Sequence, residues 1–254
     1  GGADEGNFTI DASTGVLSFV TAPDFEANGS AEGNSTYVVE VTVTDDGSLM
    51  DVQTITVMLV DANDAPVYVG FDANASFTVA ENDAFSIDLD ATDQDGDVLS
   101  YSLGGTDADD FDLNVTTGLL TLSEPPDYEN PEDSDGDNVY LVEVTVTDGN
   151  ASTVLAISLT VTDLNDPPAF VSYDGNESKL LTVPENSPFA VELNATDVND
   201  DALTFTLEGT DADDFGVNSS TGVLSLIAIP DYEMPTDADG DNVYEVGVIA
   251  TDDG

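Results

Sequence analysis

The sequence predicts an all-β protein, a linear array of tandem seven-stranded Greek-key β-sandwich domains. Three observations carry this. Apolar residues make up 40% of the 254 positions, and where they cluster they alternate with polar ones at period two, as in half-buried antiparallel strands. Gly, Pro, Asn and Asp interrupt these runs roughly every ten residues, the spacing of short sandwich strands. The same motifs also return at a domain-sized interval. No helical periodicity of any length occurs. An equally acidic chain without this patterning would read as disordered.

The elements follow in order. Phe8–Gly15 reads FTIDASTG, Phe111–Gly118 reads FDLNVTTG and Phe215–Gly222 reads FGVNSSTG. The leading phenylalanines are 103 and then 104 residues apart. That period is too long for a solenoid unit, so each repeat is expected to bury its own core. A Pro-Asp-aromatic-Glu motif follows at 23–26, 126–129 and 230–233. Strands then start at Tyr37, Tyr140 and Tyr244. Val39, Val41 and Val43, then Val142, Val144 and Val146, then Val246 and Val248 share one face, and each strand closes on Thr-Asp. Further strands are expected around Phe85, Ile87 and Leu89, around Leu99, Tyr101 and Leu103, and around Leu155, Ile157, Leu159 and Val161. The period divides the chain into a partial repeat over 1–65, a complete one over 66–167 and a partial one over 168–254 that lacks its last strand. The whole reads as a segment of a longer array.

The charge is one-sided: 54 Asp and Glu against one Lys or Arg, no His, no Cys, and a formal net charge of -53. One lysine, Lys179, cannot build a phosphate-binding face, which excludes nucleic acid and anionic membrane surfaces as partners. No run of about 18 apolar residues occurs, so no direct membrane insertion is expected. The lack of His and Cys excludes Ser-His-Asp and Cys-His nucleophiles, the usual zinc sites and a disulfide framework. A D-x-E pair could serve as a glycosidase acid/base couple. It recurs in every repeat, however, whereas an active site occurs once, and the chain has no Trp platform for sugar. No enzyme is expected.

The acidic residues fall into recurring loop motifs. Glu81-Asn82 and Glu185-Asn186 end the first strand of the second and third repeats. The D-x-E pairs are Asp24/Glu26, Asp127/Glu129 and Asp231/Glu233. Asp93/Asp95 and Asp197/Asn199 form D-x-[DN] pairs, and Asp61-Ala62-Asn63-Asp64 and Asp163-Leu164-Asn165-Asp166 occupy the repeat boundaries. Carboxylates gathered in this way repel one another unless a cation neutralises them. A hard, oxygen-rich set suits Ca²⁺, which takes 6–8 oxygens, better than Mg²⁺, which keeps more water.

The ordered set of E-N, D-x-E, D-x-N-D, A-T-D-x-[DN] and a later T-D resembles that of cadherin repeats, most closely those of prokaryotic surface proteins, over the whole chain. The resemblance implies a cadherin/immunoglobulin-like sandwich with Ca²⁺ as cofactor, three ions at each junction being bound by loops of both neighbours. It implies as ligands Asp24, Glu26, Asp61, Asn63, Asp64, Asp93, Asp95 and Asp148 at the first junction. At the second it implies Glu81, Asp127, Glu129, Asp163, Asn165, Asp166, Asp197, Asn199 and Asp252, with the carbonyls of Leu164 and Pro167. Asn199 stands where the family carries Asp and is expected to weaken its ion, with Asp200 or Asp201 compensating. The expected role is a calcium-stiffened extracellular rod segment of a surface adhesin or filament. Its partners would be neighbouring cadherin-like domains of the same or identical chains, together with cell-surface glycans or proteins. The alternative is a Ca²⁺-dependent glycan- or partner-binding module appended to a larger surface protein or enzyme.

Two further features recur. Asp133, Asp135 and Asp137 (DSDGDN) return as Asp237, Asp239 and Asp241 (DADGDN), while Ser30, Glu32 and Asn34 stand there in the first repeat. Glycine at the fourth position excludes an EF-hand, which needs it at the sixth. This loop is either an extra Ca²⁺ site or a solvated turn. Asn7, Asn28, Asn34, Asn74, Asn114, Asn150, Asn176, Asn194 and Asn218 head N-x-[ST] sequons, nine of 17 asparagines. Ser and Thr frequencies alone predict about three, so the excess favours a glycosylated extracellular chain.

Overall fold

A computed structural model describes residues 1–172 and 178–254 of the chain. The period-two segments are strands, and single 3-10 turns stand at Glu5–Asn7, Ala108–Asp110 and Ala212–Asp214. The chain forms two compact units. One comprises Gly1–Val79, Asp83–Pro125 and Glu132–Thr160; the other comprises Ala80–Asn82, Pro126–Pro131 and Val161–Gly254.

Residues 66–167 show the sandwich most fully. One sheet orders the strands Asn74–Ala80, Ser152–Thr162, Val139–Thr147 and Ser100–Gly105. The other orders Phe111–Leu113, Leu119–Leu122 and Ser86–Asp88, and the short pieces Val67–Tyr68 and Ala91–Thr92 pair separately. Consecutive strands pair in each sheet, but Asn74–Ala80 also lies beside Ser152–Thr162 and Ser86–Asp88 beside Leu119–Leu122, the long-range neighbours of a Greek key. The alternation explains the core. Val142, Val144 and Val146 are buried opposite Ile157, Leu155 and Thr153. Leu89, Phe111 and Leu120 are buried as well, and Phe111 meets Tyr140 edge-on with ring centroids 5.8 Å apart.

The F-x-x-[ND]-x-x-T-G motif is a turn. Asn114 Oδ1 accepts the Thr116 and Thr117 amides (3.0 and 3.2 Å), and Gly118 returns its own amide to the Asn114 carbonyl (2.9 Å). Gly118 has φ +77°, and a Cβ there would lie 2.7 Å from the Leu89 carbonyl oxygen. Only glycine fits both conditions. Asp11 and Asn218 accept the corresponding amides in the other repeats.

Two expectations are corrected. Val43 was placed on a buried face, yet it is 66% exposed, while its counterpart Val146 is fully buried. Val146 has strand partners on both sides, Thr153 and Tyr101. Thr36–Thr44 lies in a two-stranded sheet with Met50–Met58, so its distal half is left uncovered. In the second unit the strand expected from Tyr244 begins at Gly247 and pairs with Thr204–Glu208. Residues Val139 to Leu141, by contrast, are held as strand by pairing with Thr160 to Ser158 alone. The second unit has no such partner among the described residues, and its core rests on Phe205, Phe215 and Leu224.

Candidate metal centres

The first acidic cluster lies in the first unit. Glu26 comes from the loop before Thr36–Thr44, Asp61 from the extended segment after Met50–Met58, and Asp95 from the turn after Ala91–Thr92. One carboxylate oxygen from each falls within 4.8 Å of the others, and Asp93, Asp95 and Asp97 converge equally closely. The segment closes around them. The Asp64 amide donates to Asp95 Oδ2 (2.7 Å), Asn63 Nδ2 to Asp148 Oδ2 (2.9 Å), and Gln94 Nε2 to Asp24 and Glu26 (3.3 Å). Asp93 Oδ1 accepts the Asp95 and Asp97 amides, but Asp93 Oδ2 and Asp95 Oδ1 are buried without a partner. The electrostatics are divided. The Ala27 amide, helped by Gln94, holds the Asp24 carboxyl below its usual range despite some desolvation. The Glu26 carboxyl is pulled down by its own amide, yet desolvation and the Asp61 and Asp95 carboxylates outweigh this and raise it.

The second cluster lies in the second unit. Glu81 is 1% exposed, its Oε1 accepting the Leu164 amide (2.7 Å) and its Oε2 the Tyr128 amide (3.1 Å). Oxygens of Glu81, Glu129 and Asp163 fall within 4.8 Å of one another. Asn199 accepts the Asp166 amide (2.8 Å), just as Asp95 accepts that of Asp64. Its Nδ2 donates to Glu129 Oε1, Asp163 Oδ1 and the Leu164 carbonyl, at 3.1, 3.0 and 3.1 Å. Asn165 Nδ2 reaches Asp252 (3.2 Å), while Asp127 accepts the Asn130 amide in its turn. Asp197 Oδ2 is buried without a partner. Burial first, then Glu81, Asp163 and Asp166, raise the Glu129 carboxyl against the pull of its own amide. Burial and then Asp197, Asp253, Asp252 and Asp163 raise that of Asp201, whose amide donates to Asp197 Oδ1 (3.3 Å). Glu185, Asp231 and Glu233 form a third convergence, with the Tyr232 amide on Glu185.

These donor sets are hard oxygens with buried, uncompensated lone pairs, and their chemistry fits a divalent cation of the Ca²⁺ type. Asp97 escaped the sequence reading, although D-x-D-x-D from Asp93 to Asp97 is the signal that marks it.

Other residues have structural tasks. Asp133 accepts the amides of Gly136, Asp137 and Asn138 at 2.8, 3.0 and 2.9 Å. Ser30, its counterpart, caps the loop with its hydroxyl by accepting the Asn34 amide (3.2 Å). Three buried acids that the sequence reading missed clamp the same loops. Asp4 Oδ1 accepts the Ala31 amide and Oδ2 that of Val38; Asp107 holds Ser134 and Leu141, and Asp211 holds Ala238 and Glu245, all at 2.5–2.8 Å. Their signal was recurrence at the repeat period, four residues ahead of each motif phenylalanine. Among the sequons, Asn28, Asn34, Asn74, Asn114, Asn150, Asn194 and Asn218 are exposed and Asn7 is half-buried, while Asn176 lies outside the described residues.

No protein-family model matches the chain. It is 27% identical over 239 residues to human Protocadherin Fat 1, covering 86% of the chain and 5% of that protein. It is 31% identical over 219 residues to mouse Cadherin-related family member 2, covering 80% of the chain and 16% of that protein. The chain therefore spans a small part of these relatives. Among solved structures, the Protocadherin Gamma C5 EC1-3 crystal structure aligns with a TM-score of 0.54 at 22% identity, covering 99% of this chain and 82% of that one. The Drosophila N-cadherin EC1-4 crystal structure aligns with a TM-score of 0.50 at 22% identity, covering 99% and 60%. The structural likenesses speak for the fold. With the sequence relatives, they make the chain an array of cadherin-like repeats. The narrower placement beside prokaryotic surface proteins is corrected, because these relatives are animal proteins.

Proposed function

We propose that the chain is a calcium-stiffened segment of an extracellular adhesive array, with successive repeats over 1–65, 66–167 and 168–254 joined by Ca²⁺ at the two acidic clusters. One observation carries this reading: Asp93 Oδ2, Asp95 Oδ1 and Asp197 Oδ2 are buried without a donor, beside further carboxylates. Each buried, unsatisfied polar group costs about 1–3 kcal/mol, and more when charged. A cation taking 6–8 oxygens removes that cost. Glu26, Asp61, Asp93, Asp95 and Asp148 would hold it in the first cluster, and Glu81, Glu129, Asp163, Asp197 and Asp252 in the second. Bound Ca²⁺ supplies positive charge and coordination, nothing more. The chain's own part is geometric. Asp61–Asp64 and Asp163–Asp166 each take ligands from the repeats before and after them. With the charges compensated, these linkers would hold one orientation, and uncompensated they would splay. The cadherins and protocadherins among the relatives support the extracellular, adhesive setting, in which the partners are neighbouring repeats of the same or identical chains.

Small-angle scattering and thermal melting with Ca²⁺ and with EDTA test the reading. Ligand at a hundredfold excess over its Kd stabilises by about 2.7 kcal/mol per site. EDTA should therefore lower the melting temperature by several degrees and broaden the distance distribution. Identical curves in both buffers would overturn it.

A further inference from the structure

We infer a further cation site, separate from both clusters, in the loop Asp237–Asp241: one hard divalent cation of the Ca²⁺ class held by Asp237, Asp239 and Asp241. Asp237 is 7% exposed. Its Oδ2 accepts the amides of Asp241 (2.7 Å) and Asn242 (3.2 Å), which closes the loop. Its Oδ1 is buried and has no partner. Closing the loop takes a single acceptor oxygen, as Ser30 demonstrates in the first repeat, where one hydroxyl accepts the Asn34 amide. The second oxygen of Asp237 is therefore surplus to the cap, and sealing a bare anionic oxygen away from water is costly unless a cation meets it.

The neighbouring acid Asp239 lies close: the Asp241 amide donates to Asp239 Oδ1 (3.3 Å) as well as to Asp237 Oδ2 (2.7 Å). In the matching loop of the preceding repeat, one oxygen each from Asp133, Asp135 and Asp137 lies within 4.8 Å of the others. That span is about twice a Ca²⁺–oxygen distance of ~2.4 Å. Asp133 gives both oxygens to amides, so the inference is confined to 237–241. The loop is also anchored from beneath, since Asp211 holds the Ala238 amide (2.7 Å) next to Asp237.

The test is calorimetric titration of the full chain with Ca²⁺, backed by Tb³⁺ luminescence excited through tyrosine. Tyr244 lies beside the loop, its hydroxyl 3.1 Å from Thr236 Oγ1. Asp237→Ser copies the first repeat and keeps a capping oxygen, and Asp239→Asn changes an exposed side chain. Each variant should bind one Ca²⁺ fewer per chain, lose part of the Tb³⁺ signal, and melt within about a degree of the parent in EDTA. The same ion count, with affinities within twofold of the parent, would overturn the site. If Asp237→Ser melts early in EDTA, Asp239→Asn decides alone. Should the two clusters prove free of ions, the parent would still bind one and Asp239→Asn none, so the two readings fail separately.

Discussion

Asp95 and Asn199 accept the same linker amide in their two clusters, and the remaining atom of each side chain sets the clusters apart. Asp95 presents a second oxygen; Asn199 presents an N–H that already bridges Glu129 and Asp163. Asn199→Asp should therefore act with opposite signs. It removes three hydrogen bonds and adds repulsion, lowering the melting temperature in EDTA, while it raises the Ca²⁺ affinity of the second cluster on the order of tenfold through ligand charge. Calorimetry and melting of the one variant read both effects. Asp211 gives a pH dependence. The Glu245 and Ala238 amides hold its carboxyl below the ordinary 3.8 against some desolvation. A depressed carboxyl stabilises the fold above its unfolded value, and this is lost as pH falls through the lowered value. Urea midpoints of the parent and Asp211→Asn should differ at neutral pH and converge as pH falls below 3.8. A constant gap would show that the clamp does not depend on charge.

The strands show how far a periodic pattern reaches. Alternation identified the side chains that share a face in Thr36–Thr44 and in Val139–Thr147, and the two patterns are nearly the same. Coverage of that face depends on neighbouring strands, which local sequence does not encode. Leu155 sits fully buried between partners, so Leu155→Ala should cost about 3 kcal/mol through lost burial and the cavity left behind. Val43→Ala, at an uncovered position of equal hydrophobic promise, should stay within about 0.5 kcal/mol. Chemical denaturation of the two variants measures the contrast, and equal costs would mean that Val43 is covered in solution.

For the whole molecule, charge dominates. Six Ca²⁺ ions at the two clusters and one in the Asp237–Asp241 loop would add fourteen positive charges to -53 and leave -39. Most of the acidity is thus general surface charge, which favours solubility but works against compactness through self-repulsion. Salt screens such exposed charges with a Debye length of about 8 Å at 0.15 M, but buried carboxylates far less. The destabilisation caused by EDTA should accordingly shrink as NaCl rises without vanishing. Complete rescue by NaCl would assign the effect to the surface and not to the clusters.

Fold class, repeat period and the carboxylates of the D-x-E and D-x-N-D motifs were legible in the sequence, because strand alternation and turn chemistry are local and each repeat states them again. Two features became visible only in the tertiary structure, the donor made by Asn199 and the oxygens of Asp93, Asp95, Asp197 and Asp237 left without partners, while Asp4, Asp107 and Asp211 recur in the sequence but show their clamping task only in the fold. Each clamp joins residues 27 and 34 positions apart. Whether an oxygen is capped, solvated or left bare depends on which backbone amide the folded chain brings to it. Residue types and their spacing therefore determined where the acids gather, and only the packed chain decided which of their oxygens remain open to a cation.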